Sequence, residues 1–280
     1  MNSQFELLGN ILSDMNPLTM NKKQGLRTGF SDLDDFIGGL SKGDFIVVGG
    51  RPAMGKTALA LNIINNISKN KSLSCIFVSL EDTKEQLIKR LISINANIPL
   101  KAFEDGTIDN ENKVVTQTIE KLREKQIYLC DDPTITTKKL RVRCREIAEK
   151  SDIGLVIIDG YENGLLEKDK NSKQSVPGLL KKLALELNVP IMLFSNISRS
   201  VDCREDHRPT LSDLNYSKDY SRFADVILFL YRDDYYRPEQ SKTSGSIAII
   251  DIAYQRCNRP VGCVELKWQE EYNIYNDINL

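Results

Sequence analysis

The stretch that most constrains this chain is residues 50–57, which match G-x-x-x-x-G-K-[ST], the phosphate-binding P-loop. Such a loop curls onto a helix N-terminus, so that several backbone N–H groups meet phosphate oxygens. Lys56 is expected to place its charge on the β- and γ-phosphates, and Thr57 to offer its hydroxyl to Mg²⁺. The predicted nucleotide-binding residues are Gly50, Arg51, Pro52, Ala53, Met54, Gly55, Lys56, Thr57 and Ala58.

The residues on both sides of this loop agree with a P-loop. Residues 45–48 form a short apolar run that suits a buried strand. After the loop come good helix formers, whose apolar stripe includes Leu59, Ile63 and Ile67. Because strand, glycine loop and helix follow in the required order, a chance glycine-rich turn with an incidental lysine is disfavoured.

The composition limits which other classes of protein the chain can join. A length of 280 residues suits one large α/β domain or two small ones. The net charge of −1 excludes a global basic field, so nucleic-acid binding must come from local loops. The six cysteines form no C-x-x-C pair and His207 is the only histidine, which predicts reduced thiols in the cytoplasm rather than a zinc site. No apolar run approaches the length of a membrane span, so no membrane partner is expected.

Apolar strand patterns alternate with helical patterns along most of the chain. Strands are predicted at 45–48, 74–80, 127–130, 155–159 and 190–195, with three more at 224–231, 246–253 and 261–268. Thr83 and Gln86 form a capping box that predicts the start of one helix, and residues 109–124 predict a more polar one. This alternation favours an α/β fold with a mostly parallel central sheet, helices on both faces and extra antiparallel edge strands.

The first residues look separate from this pattern. Phe5, Leu8, Leu12 and Met15 recur at helical spacing, so residues 4–15 are predicted to form an amphipathic helix. We therefore divide the chain into residues 1–24, a helix with a linker, and residues 25–280, the α/β domain. The apolar stripe needs a surface to cover, either on its own domain or on a neighbouring subunit.

Two carboxylates follow predicted strands and are candidates for chemistry. Asp159 ends an aliphatic run, where an acid can hold Mg²⁺ through water. Glu81 follows the second predicted strand and could polarise the water that attacks a γ-phosphate, because ligands gather at the C-terminal ends of parallel strands. The alternative for Glu81 is an exposed acid or a helix-capping acid, a role that suits Asp82 better.

Further motifs accompany the P-loop and extend almost to the end of the chain. They lie at residues 28–34, 51–62, 79–81, 156–159, 185–190, 208–214, 224–233 and 255–256. Together they resemble the C-terminal RecA-like ATPase domain of DnaB-type replicative helicases. The resemblance covers the chain from about residue 25 and implies ATP-driven translocation on single-stranded DNA, with duplex unwinding.

The resemblance also implies an assembly and roles for individual residues. It implies a ring, usually a hexamer, that binds ATP and Mg²⁺ between subunits, surrounds single-stranded DNA and works with a helicase loader or a primase. Glu81 would be the catalytic base, Asp159 the Mg²⁺ acid and Arg256 a finger that reaches the neighbour's γ-phosphate. The predicted DNA contacts lie in two loops and are Lys168, Lys170, Lys173, Asn215, Tyr216, Ser217 and Lys218.

Several positions depart from the pattern of the resembling family, among them Glu162, which stands where the family typically carries glutamine. Asn196 stands where the family senses the γ-phosphate with a glutamine, and Tyr254 replaces a lysine two residues before the finger. Asn215 begins a loop that in the family typically reads Arg-Glu-Ser-Gly. These changes keep two alternatives open: a DNA-bound loading or assembly factor that unwinds nothing, and an ATP-switched regulatory protein.

Overall fold

A computed structural model of the chain describes residues 7–8, 25–109, 112–160, 175–215, 217–237, 246–256 and 259–278. Within these ranges the strands are β1 (Phe45–Gly50), β2 (Leu73–Ser79), β3 (Ile127–Cys130), β4 (Asp152–Asp159), β5 (Ile191–Asn196), β6 (Val226–Arg232), β7 (Ser246–Gln255), β8 (Gly262–Gln269) and β9 (Ile274–Asp277). The helices are α1 (Ser31–Ile37), α2 (Lys56–Ile67), α3 (Lys84–Ala96), α4 (Leu100–Glu104), α5 (Lys113–Arg123), α6 (Thr137–Ala148), α7 (Val176–Leu187), α8 (Ser217–Phe223) and α9 (Asp233–Tyr236).

All the described strands join one sheet in the order β3-β2-β4-β5-β1-β6-β7-β8-β9. The first six strands of this order run parallel to one another, and β7, β8 and β9 add antiparallel pairs at one edge. This arrangement confirms the predicted mostly parallel sheet with antiparallel edge strands. It also places β1, and therefore the P-loop that follows it, near the middle of the sheet.

Helices cover both faces of the sheet, as the continuous apolar strands predicted. In β1, Ile46 and Val48 pack on one face, in the same cluster as α2 and α3. Phe45 and Val47 pack on the other face, in the cluster that includes α6 and α7. All four side chains are fully buried, so β1 is fixed from both sides.

The predicted helix starts agree with the structure to different degrees. Thr83 and Gln86 form the predicted capping box at the start of α3, with both reciprocal hydrogen bonds present. The polar helix predicted from residue 109 begins later, at residue 113, because the Asn112 side chain accepts from the backbone N–H groups of Val114 and Val115. The helix start was predicted too early because Asn112 was not recognised as its cap.

Several predicted features lie mainly outside the described residues. Of the helix predicted over 4–15, only Leu7 and Leu8 are described, and both are exposed. The predicted DNA contacts Lys168, Lys170, Lys173 and Tyr216 also lie outside the described residues. In the part of the chain that is described, no helix combines the length and apolar character needed to cross a membrane.

Candidate nucleotide-binding site

Four neighbouring strands of the sheet carry the predicted catalytic groups at or just after their C-terminal ends. The strands β2, β4, β5 and β1 are adjacent in that order. Glu81 follows β2, while Asp159 ends β4, Asn196 ends β5 and Gly50 ends β1. Residue pairing places Gly50 opposite Asn196 and Ser79 opposite Asp159. The structure thus brings these predicted residues together, because the C-terminal ends of neighbouring parallel strands lie side by side.

The P-loop packs against an aromatic pair, Tyr275 and Trp268, that was not predicted from the sequence. Gly55 has a φ of 92°, a left-handed conformation that favours glycine, and Ala53 has a φ of 63°. The Tyr275 hydroxyl donates to the carbonyls of Met54 and Gly55 at 3.2 and 3.3 Å. The Tyr275 ring packs on Trp268 with 4.4 Å between ring centroids. A Cβ added at Gly55 would collide with the Tyr275 hydroxyl, so the loop and this support fit only with glycine there.

Lys56 is held across the mouth of the loop. Its Nζ donates to the carbonyl oxygens of Gly50 and Arg51, each at 3.0 Å, and to Asn196 Oδ1 at 2.6 Å. The shorter side chain at position 196 therefore still reaches the P-loop lysine. A terminal phosphate that replaced these carbonyls as the partner of Lys56 would also meet the Asn196 amide.

Thr57 and Asp159 form a contact that suits a hard cation. Thr57 Oγ1 donates to Asp159 Oδ2 at 2.6 Å. Burial raises the pKa of Asp159 to about 6, although the hydrogen bond from Thr57 and the charge of Lys56 both favour the carboxylate. Hydroxyl and carboxylate oxygens are ligands that Mg²⁺ prefers, so the two residues fit the predicted metal role.

The described residues include no group of three or more His, Cys, Asp or Glu side chains that could hold a metal. A magnesium ion at Thr57 and Asp159 would therefore take its remaining ligands from phosphate oxygens and water, as is usual for this ion. Magnesium binding at this site would then depend on a phosphate-bearing ligand.

Glu81 lies beside the end of β4, which carries the candidate Mg²⁺ ligand Asp159, and does not cap a helix. Gly160, which follows Asp159, has a φ of 90°, and a Cβ there would be only 2.7 Å from Glu81 Cγ. Glycine at position 160 therefore lets the Glu81 side chain lie against the end of β4. Asp82 faces Arg90 instead, with 3.3 Å between Oδ2 and Nε, and Thr83 is the residue that caps α3.

A cleft of about 870 Å³, a volume within the range usual for small-molecule sites, is lined by Lys56, Thr57, Glu81, Asp159 and Asn196. Beyond the P-loop the cleft continues between α4 and the turn that joins β8 to β9. Residues there that the sequence analysis missed are Arg90, Leu100, Arg232, Trp268, Glu270 and Asn273. They come from four distant segments, and no local pattern identifies them.

Arg256 is the predicted catalytic residue that the fold keeps away from this cleft. Its Nε lies 3.2 Å from Asp225 Oδ1, and its Nη2 donates to the carbonyls of Arg222 and Ala224. Asp225 in turn accepts from the backbone N–H of Phe45, the first residue of β1. The P-loop starts at the other end of this six-residue strand, about 16 Å away. Arg256 therefore does not face the P-loop of its own chain.

The predicted DNA-binding segment at residues 215–218 is connected to the end of β5. Ile197, just after β5, pairs with Leu214 in an isolated antiparallel bridge. Asn215 comes next and is exposed, and Ser217 and Lys218 begin α8. The predicted DNA segment is thus joined to the strand end that carries Asn196.

Comparison with known proteins identifies relatives over almost the whole chain. A family model described as the DnaB-like helicase C terminal domain matches residues 25–277. The replicative DNA helicase DnaB of Geobacillus stearothermophilus is 38% identical over 257 residues, and the replicative DNA helicase DnaC of Bacillus subtilis is equally similar. Each match covers 90% of this chain but only 56% of the relative. The chain thus spans little more than half the length of these relatives.

Two solved structures share the fold over nearly all of the chain. One is described as an ATPase domain and superposes with a TM-score of 0.87 at 30% identity, covering 98% of this chain and 99% of that domain. The other, a DnaB-like replicative helicase described with its interactions with primase, gives a TM-score of 0.83 at 30% identity. That match covers 99% of this chain and 68% of the helicase chain.

Proposed function

This chain belongs to the family of DnaB-like helicase C-terminal domains, and we propose that it hydrolyses ATP to move along single-stranded DNA and unwind duplex DNA. The observation that carries the proposal is the convergence of Lys56 and Thr57 after β1, Asp159 at the end of β4 and Glu81 after β2, at neighbouring C-terminal strand ends. These are the groups that in-line attack of water on a γ-phosphate requires: positive charge, metal ligands and a base.

In this proposal each side chain has a distinct role. Lys56 leaves its carbonyl partners for the β- and γ-phosphates and stabilises the charge that develops during transfer. Glu81 orients the attacking water and accepts its proton, and Asn196 contacts the γ-phosphate beside Lys56. Mg²⁺, held through Thr57 and Asp159 together with phosphate oxygens, would neutralise part of the triphosphate charge.

The proposed assembly is a ring, hexameric in the expectation from the family, with each ATP between two subunits. Arg256 supports this assembly because it lies at the opposite end of the sheet from its own P-loop. A neighbouring chain is then the source of the P-loop that Arg256 serves. We propose that the chain has two parts. Residues 1–24 form a helix and a linker that contact a neighbouring subunit, and residues 25–280 form the ATPase domain.

The partners follow from the same proposal. Single-stranded DNA would lie in the ring centre, against Lys168, Lys170 and Lys173 and against the segment from Asn215 to Lys218. One relative of known structure is described with primase, and a primase or a helicase loader is the protein partner that we propose. Such work on DNA would take place in the cytoplasm.

Strand displacement on a forked DNA substrate tests the helicase function. The wild-type protein with ATP and Mg²⁺ is expected to release the labelled strand, whereas Lys56→Ala, which lacks the phosphate-binding charge, is expected to release none. DNA-stimulated hydrolysis without strand displacement would instead favour a loading or assembly factor. The observations that favour this second function are Asn196, Asn215 and Tyr254, which replace the residues that the resembling family typically has at these positions.

A further inference from the structure

Arg51, the second residue of the P-loop motif, is tied to a distant segment by a two-point ion pair. Its Nε and Nη2 donate to Asp202 Oδ1 and Oδ2 at 3.1 and 2.7 Å. The Tyr236 hydroxyl donates to the same carboxylate at 2.9 Å, and its ring stacks on His207 at 4.2 Å. The Arg51 guanidinium also holds the pKa of Asp202 below its usual value. Asp202 is therefore held in one place against the P-loop.

Asp202 belongs to a cross-braced segment, residues 197–214, that we call the β5–α8 lobe. The lobe is closed at its base, where Ile197 pairs with Leu214. Its main brace is Asp213, only 3% exposed, which forms an ion pair with Arg204 and accepts from the Thr210 backbone N–H at 2.7 Å. These contacts connect the two arms of the lobe and link the side that carries Asp202 to the base.

The lobe and the residue before it contact the P-loop at two points. Asn196, which directly precedes the lobe, contacts Lys56, and Asp202, within the lobe, contacts Arg51. After Leu214 the chain continues into Asn215 and the start of α8. We propose that the Arg51–Asp202 pair is the anchor through which nucleotide in the P-loop changes the DNA affinity of the segment beginning at Asn215.

The physical basis is the charge that a nucleotide brings to the loop. A triphosphate bound at the P-loop would bring several negative charges to the loop that carries Arg51, and these would compete with Asp202 for the guanidinium. The free energy of the ion pair therefore differs between the nucleotide-free and the nucleotide-bound protein, and such a difference is what coupling between two sites requires. Asp202 is thus a positioning residue, which acts through Arg51 and the lobe.

This inference rests on the proposed DNA function, and its test separates the two. The Kd for a fluorescent oligothymidine is measured at one fixed salt concentration, without nucleotide and with a non-hydrolysable ATP analogue and Mg²⁺. The ratio of the two Kd values is the coupling factor, for which about 5–150-fold is typical. The wild-type factor is expected to exceed about fivefold, and Asp202→Asn is expected to bring it close to one.

Two further variants distinguish positioning from general damage. Glu205→Gln removes one negative charge from an exposed position of the same lobe and is expected to keep the wild-type coupling factor. Asp202→Glu restores the charge and is expected to recover coupling that Asp202→Asn loses. The affinity for the ATP analogue, measured with and without DNA, must change by the same factor as the DNA affinity. Melting temperatures are recorded for each variant.

The outcomes separate cleanly. Loss of coupling in Asp202→Asn alone, with an unchanged melting temperature, supports the anchor. A wild-type factor in Asp202→Asn overturns the anchor and leaves the helicase proposal standing. An equal loss in Glu205→Gln also overturns the anchor, because any charge on the lobe would then suffice. A wild-type protein that binds no oligothymidine overturns the proposed function and the anchor with it.

Discussion

Replacing Asp159 by Asn is expected to stabilise the protein when metal and nucleotide are absent. Asp159 is only 3% exposed, and its burial raises the pKa from 3.8 to about 6. A raised pKa means that the folded protein binds the proton more tightly than the unfolded chain does. The carboxylate therefore destabilises the fold increasingly as the pH rises from 3.8 to about 6. Asn is neutral, has a similar shape and can still accept the hydrogen bond from Thr57.

The size of the effect follows from the two pKa values. At about 1.4 kcal/mol for each pH unit between 3.8 and about 6, the ionised carboxylate costs about 3 kcal/mol at pH 7.5. The stability contributed by the protonated group is fully present below pH 3.8 and is lost as the pH rises through about 6. At about pH 5 roughly half of the cost remains, so the advantage of Asp159→Asn should shrink by half between these two pH values.

Urea unfolding in EDTA, at pH 7.5 and pH 5 and at one protein concentration, measures this difference. Asp152→Asn, at the exposed start of the same strand, is the matched control and is expected to change stability by less than about 0.5 kcal/mol. Mg²⁺ and ATP should stabilise the wild type but not Asp159→Asn. Equal stability changes in Asp159→Asn at both pH values, or a less stable variant at pH 7.5, would refute the reasoning.

The remaining predictions concern the base, the loop support and the DNA segment. Glu81→Gln should bind ATP normally but lose turnover, because the similar shape remains and the base is gone; a normal rate of single-turnover hydrolysis would show that another group is the base. Tyr275→Phe should lower the free energy of unfolding in urea by about 1–2 kcal/mol and raise the KM for ATP, because two P-loop carbonyls lose their donor. Tyr128→Phe, at an exposed position, serves as the control. Lys218→Glu should lower the salt dependence of DNA binding by about one unit of the log–log slope, and an unchanged slope would remove Lys218 from the DNA contacts.

The parts of the site that sequence alone predicted are those set by local order. The run from 45 to 57 predicts strand, loop and helix because each element depends on neighbouring residues. Glu81 and Asp159 could be placed at one edge because they follow strands of a parallel sheet, whose C-terminal ends lie together. Most of the fold, and the placing of the P-loop, Glu81 and Asp159 together, could therefore be predicted from the sequence pattern.

The parts that sequence did not predict depend on contacts between distant residues. Tyr275 lies 220 positions from Gly55, in a four-residue edge strand too short and too polar to be recognised. Arg51 and Asp202 are 151 positions apart, and each alone looks like a solvated surface charge. Such pairs become visible only in the folded chain, where Tyr275 of the edge strand β9 and Asp202 from the segment after β5 both contact the loop that follows β1.

The most direct test of ATP hydrolysis between subunits is a mixing experiment with two inactive variants. Arg256→Ala keeps an intact P-loop, and Lys56→Ala keeps an intact arginine, so each alone is expected to hydrolyse almost no ATP. An arginine finger contributes about 10³–10⁵ to the rate, which makes any restored junction easy to detect. Mixed assemblies contain junctions at which a wild-type P-loop faces a wild-type Arg256.

The measured quantity is ATP hydrolysis against the mixing ratio, at a protein concentration where co-assembly is shown independently. We expect activity to return in the mixture, to peak at intermediate ratios and to rise with protein concentration. A mixture no more active than its separate parts despite proven co-assembly, or an Arg256→Ala protein that is active alone, would contradict catalysis across a subunit boundary.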